Sequence, residues 1–370
     1  MAERPGNRKE YLVVAGRQPE ISLAEIEAQF GKTKLSGGSV ILFESVKQPE
    51  INRLGGSLKI GVKLEGPVLE FLAERPEGKI VIGVSDFSKK ASRKSAALEA
   101  LKLKKILVRH GRSVRVVENK EAVLSTATSL HNGLSGKNER KVELLKLDSE
   151  WYRVIGVQDI EAYARRDQAR PARDAKVGML PPKLAQILIN LAGDLPEGAT
   201  VLDPFCGTGV VLQEALLMGY KAYGTDINER MISYSERNLK HFGLKDFEVE
   251  VGDATSHHWR LPVDAVACEA YLGRPMSNPP VEIKLKTEKQ ECGAIILGFL
   301  RNLAEQIKAG TPVVVAMPAW LRPSGEYSRL EILDEIEDLG YNVNNKSREG
   351  LLYYRAGQIV ARDIIILRKN

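Results

Sequence analysis

The chain has 370 residues, 43% of them hydrophobic, with 54 Lys and Arg against 48 Asp and Glu and a formal net charge of +6, a length that calls for two or three domains. No apolar run approaches the roughly eighteen residues a membrane helix needs, and the opening Met1-Ala-Glu-Arg-Pro-Gly6 lacks the apolar core of a signal peptide, so a cytoplasmic protein is expected. The three cysteines, Cys206, Cys268 and Cys292, are too few for a disulfide framework and with five histidines match no zinc spacing, so no metal is expected.

In chain order, Tyr11 to Ala15 reads as an apolar strand, Gly16 to Pro19 as a turn and Ser22 to Glu25 as a helix start, because Ser22 and Glu25 have the spacing of a capping box. A strand at Val40 to Phe43 and a polar helix at Pro49 to Leu54 complete a small α/β module over residues 1–57. Residues 58–158 read as a second α/β domain. Its strands are Lys79 to Val84, Ser113 to Val117, Val142 to Leu147 and Trp151 to Val157, and its helices are Lys89 to Gly111 and Leu124 to Leu134.

Charge is unevenly spread. Residues 1–180 hold 33 Lys and Arg against 23 Asp and Glu, an excess of ten that leaves the remaining residues at −4. The densest basic stretch, Ser85 to Lys120, includes Arg93, Lys94, Lys104, Lys105, Arg112 and Arg115 and holds only Asp86, Glu99 and Glu118 as acids. A solvated helix face is the ordinary meaning of such a run. Beside a cofactor-binding half, nucleic acid becomes the expected partner, with those six residues as phosphate contacts and Arg165 and Arg166 next. Residues 159–181, rich in Arg, Asp and Pro with little apolar periodicity, read as a linker.

The remainder, 182–370, alternates helix and strand as a doubly wound sheet does. Pro182 to Leu191 is an amphipathic helix, Val201 begins a strand, Gln213 to Gly219 completes a crossover, and Asn228 to Phe242 makes the next. Strands at Phe247 to Val251 and Val263 to Cys268, helix Gln290 to Lys308, strand Val313 to Met317 and a terminal hairpin of Leu351 to Gln358 with Arg362 to Leu367 follow.

Within it, Val201-Leu-Asp-Pro-Phe-Cys-Gly-Thr-Gly-Val-Val211 and Tyr223-Gly-Thr-Asp-Ile-Asn228 read as strand, glycine turn, helix and a second strand ending in an acid, a nucleotide-type site. A dinucleotide site seats a pyrophosphate on Gly-x-Gly-x-x-Gly, whereas here the third position is Leu212 and Asp203 ends the first strand. A carboxylate there repels phosphate and suits an ammonium, which points to S-adenosylmethionine. Asp203 is expected near its amino-acid end, with Phe205, Cys206, Gly207 and Gly209 around the methionine portion. Asp226 is expected on the ribose with Ile227 beside it, and Asp253 with Ala254 near the adenine, although Asp253 also fits a plain helix cap.

These blocks, with Gly111 to Val117, Val157 to Asp167 and Arg170 to Lys183, resemble the THUMP-domain tRNA guanine-N2 methyltransferases, the type that modifies guanine 10. The resemblance implies a class I S-adenosylmethionine-dependent methyltransferase domain preceded by a THUMP-type tRNA-binding region. It also implies methyl transfer to an exocyclic guanine amine, with no accessory subunit indicated. The departure lies after the fourth strand, where the family has Asp-Pro-Pro-Tyr and this chain has Cys268-Glu-Ala-Tyr-Leu-Gly273. Glu269 stands for the acid that accepts the amine's hydrogen bonds, and Tyr271 for the ring that stacks on a flipped base. Asn278-Pro-Pro-Val281 is set aside because it lacks the aromatic and lies beyond the strand end, and a nucleophilic role for Cys268 because the usual Pro-Cys setting is missing. A tRNA-binding protein with a decayed site and an adenine-N6 enzyme remain open alternatives.

Overall fold

The computed structural model describes residues 8–173, 179–260, 262–345 and 351–370. The opening Met1 to Gly6 and residues 174–178 of the expected linker lie outside them. The chain divides into two compact units, Met1–Ala162 and Tyr163–Asn370.

In the first unit the elements are β1 (Lys9–Ala15), α1 (Pro19–Phe30), β2 (Thr33–Ser36), β3 (Val40–Ser45), β4 (Ser57–Lys63), α2 (Val68–Ala73), β5 (Ile80–Asp86), α3 (Arg93–Arg109), β6 (Val114–Val116), α4 (Thr126–His131), β7 (Lys141–Leu147) and β8 (Glu150–Val157). The strands form one eight-stranded sheet in the order β2-β3-β1-β4-β8-β7-β5-β6. The expected boundary at residues 57 and 58 falls at the start of β4, inside this sheet. Strands such as β5, buried at every residue, bury both faces. One core cluster joins Tyr11, Val13, Ile26 and Ile60 and another Ile80, Val84, Ala100, Leu103 and Leu144. α3 is capped at Ser92, whose side chain accepts from Ser95 N–H, and buries Ala96, Ala100, Leu103 and Leu107 while its cations stay outside.

Three expectations are corrected here. Helix α1 starts at Pro19 with no side-chain cap, so Ser22 and Glu25 are interior helix residues rather than a capping box. Both are buried, and they hold the turn before β4 instead: Ser22 Oγ donates to the Gly56 carbonyl at 2.7 Å, and Glu25 accepts from Gly55 and Gly56 N–H at 2.8 Å each. Buried backbone donors and acceptors need such partners, and that demand is set by a loop some thirty residues away. Pro49 to Leu54 contains only a short 3₁₀ turn, Ile51–Arg53. Part of the expected linker is a helix, α5 (Ile160–Gln168), anchored by buried Tyr163.

The second unit contains α6 (Pro182–Leu191), β9 (Thr200–Asp203), α7 (Val210–Leu217), β10 (Lys221–Asp226), α8 (Glu229–His241), β11 (Phe247–Val251), β12 (Ala265–Glu269), α9 (Glu282–Ala304), β13 (Pro312–Leu321), β14 (Tyr327–Arg329), α10 (Leu333–Asp338), β15 (Tyr341–Val343), β16 (Leu352–Tyr353) and β17 (Val360–Lys369). The main strand order is β11-β10-β9-β12-β13-β17-β15, parallel from β11 to β13, with β17 antiparallel to both β13 and β15. This is the doubly wound methyltransferase sheet with an antiparallel end. Chain order reverses between β9 and β12, and in open α/β sheets the ligand crevice opens at the carboxyl ends of the strands at such a switch. Asp203 ends β9 and Glu269 ends β12.

Candidate active site

On the cofactor side the chain leaves β9 at Asp203 and turns through residues 204–209 into α7. Asp203 Oδ1 accepts from Phe205 N–H at 3.0 Å, Cys206 N–H donates to the Thr225 carbonyl at 2.9 Å, and Gly209 N–H to the Cys206 carbonyl at 2.7 Å. Gly209 has φ +82° and packs on α8, where an added Cβ would lie 3.0 Å from Ser235 Oγ, so both torsion and space require glycine. Gly207 has φ +50° and an open flank: an added Cβ would meet only the Phe205 carbonyl, at 3.9 Å.

Asp226, at the end of β10, joins this loop to the next. Its Oδ2 accepts from Gly207 N–H at 3.0 Å and its Oδ1 from Asn228 N–H at 2.9 Å, while Asn228 caps α8. Ile227 beside it is 70% exposed, unusual for isoleucine next to a cluster of buried strand ends. Asp253 Oδ1 accepts from both Thr255 N–H (2.9 Å) and Thr255 Oγ1 (2.7 Å), the turn-capping arrangement; its Oδ2 bonds none of the described residues. Ala254 is buried, with its carbonyl accepting from Asn302. Phe205 meets Phe299 edge-on at 5.1 Å.

The crevice is electrically distinctive. Burial pushes the Asp203 carboxyl well above the ordinary carboxylate range, the Phe205 N–H opposes this, and the charges of Asp226 and Glu269 push it further. Burial also raises Asp226, against the N–H groups of Asn228 and Gly207. Asp203 therefore senses the carboxyl groups that end β10 and β12, and three acids at adjacent strand ends suit a cationic ligand better than a phosphate. These residues fit S-adenosylmethionine, with an ammonium and a sulfonium but no phosphate, better than a dinucleotide.

Behind the loop lies a clamp that sequence reasoning missed. Asn238 on α8 donates to the Thr208 carbonyl at 2.9 Å and exchanges hydrogen bonds with the Ala172 backbone, both at 3.0 Å. Arg170, 3% exposed, donates to Thr208 Oγ1 at 3.4 Å and to Asp167 Oδ1 at 3.1 Å. The signal available in the sequence is a run of arginines in a segment of low apolar periodicity, a pattern that also fits a linker.

On the substrate side, Glu269 ends β12 and Arg362 Nε donates to its Oε1 at 2.7 Å; their side chains are 15% and 5% exposed. Burial raises the Glu269 carboxyl, and the Arg362 guanidinium counters it. Arg362 also escaped sequence reasoning, although a charged pair, Arg362-Asp363, opening the apolar run Ile364 to Leu367 is a visible anomaly. Ala270 N–H donates to the Ala316 carbonyl, and Tyr271 emerges 38% exposed just beyond. The following turn is held by buried Glu288, whose Oε2 accepts from Arg274 N–H at 3.2 Å. Asn278 is exposed, and Val281 caps α9, which starts eight residues earlier than expected. Cys206 and Cys268 are buried, and burial pushes both thiols well up, away from the nucleophilic thiolate.

The expected phosphate contacts differ from one another. Lys94 and Lys105 on α3 are exposed and Lys104 is half-buried. Arg93 is exposed and pairs with Glu118 at 3.0 Å. Arg112 instead donates to the Arg75 and Pro76 carbonyls at 2.7 and 2.8 Å, closing the turn after α2, and Arg115 donates to Asn132 at 3.0 Å. In the second unit Arg165 is exposed, whereas Arg166 stacks on Tyr163 at 4.2 Å and pairs with buried Glu214 at 2.9 Å. Among the described residues no helix is long and apolar enough to cross a membrane.

Residues 170–319 match the family described as UPF0020, RMKL-like, methyltransferase domain. The protein named tRNA (guanine(10)-N2)-dimethyltransferase from Methanothermobacter thermautotrophicus is 35% identical over 157 residues, 42% of this chain and 44% of that protein. Its namesake from Methanocaldococcus jannaschii is 32% identical over 228 residues, 61% of this chain and 62% of that protein. The matched segments thus span less than two thirds of these two relatives. A shorter relative from Methanothermococcus thermolithotrophicus, named probable tRNA (guanine(10)-N2)-dimethyltransferase, is 42% identical over 139 residues, 36% of this chain and 78% of that protein. With that coverage at that identity, the chain belongs to the family of proteins that carry this name.

Proposed function

We propose that this protein is a cytoplasmic enzyme that methylates the exocyclic N2 of a guanine in tRNA, at position 10, with S-adenosylmethionine as donor. The observation that carries the reading is the crevice at the switch between β9 and β12, where Asp203, Asp226 and Glu269 end three neighbouring parallel strands and Gly207 leaves the loop open on one flank. The donor supplies an electrophilic methyl group on a sulfonium. Asp203 faces its ammonium, the open flank of Gly207 admits its methionine portion, and Gly209 keeps the loop against α8. Asp226, braced by two backbone N–H groups, has lone pairs left for the ribose hydroxyls, with Ile227 against the adenine and Asp253 Oδ2 toward its amine.

An exocyclic amine is a weak nucleophile because its lone pair is shared with the ring. Glu269 accepts its N–H bonds and fixes the lone pair toward the methyl, Arg362 keeps that carboxylate ionised, and Tyr271 stacks on the flipped base. As the methyl carbon bonds to the amine nitrogen its bond to sulfur breaks, the electron pair staying on a neutral thioether that leaves, while the amine gains positive charge and then loses its extra proton to Glu269 or solvent. In this reading residues 58–158 carry the THUMP-type tRNA-binding part of the first unit, with strands from residues 1–57 completing the same sheet. Lys94, Lys105 and Arg93 are its phosphate contacts, and α5 leads toward the transferase domain. The test is transfer of labelled methyl to unmodified tRNA followed by nucleoside digestion, with Glu269→Ala alongside. N2-methylated guanosine that disappears in the variant is the expected result. Cofactor and tRNA binding without transfer would favour a tRNA-binding protein with a decayed site, and methylated adenosine the N6 reading.

A further inference from the structure

Strand β13 runs well past the level of the site. Its residues Val313 to Ala316 pair with β12 on one edge, Pro312 to Trp320 pair with β17 on the other, and Ala319 to Leu321 pair with β14. Because β17 occupies the second edge throughout, β14 must lie on the β12 edge, in the lane that β12 vacates after Glu269. The chain leaves that lane at Ala270 and Tyr271, so β14 overhangs the mouth of the crevice. The turn at 353–358 joins it. Tyr327 Oη donates to the Gln358 carbonyl at 2.7 Å, Leu321 N–H to the Ile359 carbonyl at 2.8 Å, and the Tyr327 and Tyr354 rings lie 5.3 Å apart at 39°.

The outer surface of this overhang is not finished as a protein core would be. Tyr354 is 46% exposed although one side of its ring is braced by Tyr327. Arg355 is exposed, with its backbone N–H fixed by Gln358 and no carboxylate paired to its guanidinium among the described residues. Arg322, at the hairpin turn, is 44% exposed and reaches Glu282 only at 4.0 Å. A braced aromatic ring with exposed guanidinium groups on the same overhang is a combination that holds unpaired nucleotides, the ring stacking on a base and the cations taking the backbone.

We infer that the overhang of β13, β14 and the 353–358 turn is a stacking platform for an unpaired base adjacent to the target, with Tyr354 as its ring and Arg322 and Arg355 as phosphate contacts. This rests on the tRNA-methylating reading above. It gives the transferase unit its own hold on RNA: a base drawn out of a duplex leaves a neighbour without its stacking partner, and Tyr354 replaces that partner.

The experiment measures the affinity of unmodified tRNA transcript for wild type, Tyr354→Ala, Tyr354→Phe, Tyr354→Trp and Arg355→Ala, together with KM and kcat for methyl transfer. A second transcript set carries an abasic site on either side of the target guanine. Tyr354→Ala is expected to weaken tRNA binding about tenfold, with Phe and Trp restoring it and cofactor affinity unchanged. Arg355→Ala should lower the salt slope by about 0.7 to 0.9, as one phosphate contact on a single strand or duplex does. One abasic transcript should weaken binding to wild type but not to Tyr354→Ala, because both changes remove the same stack. Full tRNA affinity and KM in Tyr354→Ala, or an abasic penalty that persists in that variant, would overturn the platform. Absence of tRNA binding and transfer in wild type would instead overturn the reading on which it rests.

Discussion

The two halves of the crevice are built on different principles. At the ends of β9 and β10 the work is done by backbone: two glycines at positive φ, N–H groups aimed at Asp226, and a loop pinned from behind by Asn238. At the end of β12 it is done by a single side-chain pair, Glu269 with Arg362, in a stretch, Glu269-Ala-Tyr-Leu272, that has no stiffening proline. A backbone-built site tolerates change in neighbouring side chains but not in torsion or in the acid that ties loops together. A site hung on one ion pair depends on that pair, and the partner comes from 93 residues further along the chain.

Replacing Asp226 with Ala should break the first half most completely. It removes the proposed ribose contacts and also frees Gly207 and Asn228 N–H, losses of charge-assisted hydrogen bonds at about 1.5–3 kcal/mol each. Cofactor affinity should fall on the order of a hundred- to a thousandfold by calorimetry, with tRNA affinity nearly unchanged. Equal loss of both would contradict the separation of cofactor and tRNA binding.

Arg362→Met tests the second half and has a pH signature. Burial already raises the Glu269 carboxyl and Arg362 opposes it, so removing the guanidinium raises it further. In the proposed mechanism the ionised carboxylate is the working form, so activity rises with pH through this titration and the rise moves to higher pH in the variant. The deficit in kcat should be greatest in mildly acidic buffer and shrink as pH increases. Stability changes in the opposite sense: a protonated Glu269 costs little without its partner, whereas an ionised one is left unpaired. The melting-temperature loss should therefore grow with pH, toward an order of 3 kcal/mol for a broken buried pair. A deficit independent of pH would assign Arg362 a purely packing role.

How far the sequence could be read follows the same division. The strand–turn–helix around residues 201–211 was legible because its signals are local: glycines at fixed offsets, acids at strand ends and apolar patterns that place α6 at Pro182–Leu191 and β11 at Phe247–Val251. Arg362, the Asn238 clamp and the β14 overhang were not, because each is created by strands or helices meeting across long sequence separations. Ser22 and Glu25 show the limit from the other direction. They satisfy a local capping pattern, yet the backbone that uses them is Gly55 and Gly56. Arg112 is similar: a cation in a basic run carries the same letter whether it faces solvent or, as here, three residues of a turn that it closes.

The smallest effect separates two adjacent lysines in the first unit. Composition treats Lys104 and Lys105 alike, but on α3 Lys105 is exposed and Lys104 half-buried. An exposed ammonium that meets a phosphate releases a counterion, so removing it lowers the slope of log affinity against log salt by about 0.7 to 0.9. Lys105→Glu should weaken tRNA binding at low salt and flatten that dependence, while Lys104→Glu should do so less and the cofactor affinity of both should stay unchanged. Because repulsion from an introduced carboxylate could mimic a lost contact at low salt, Lys105→Gln is the sharper variant. Its slope should fall by the amount due to one contact, and an unaltered slope would return the outer face of α3 to ordinary solvated surface.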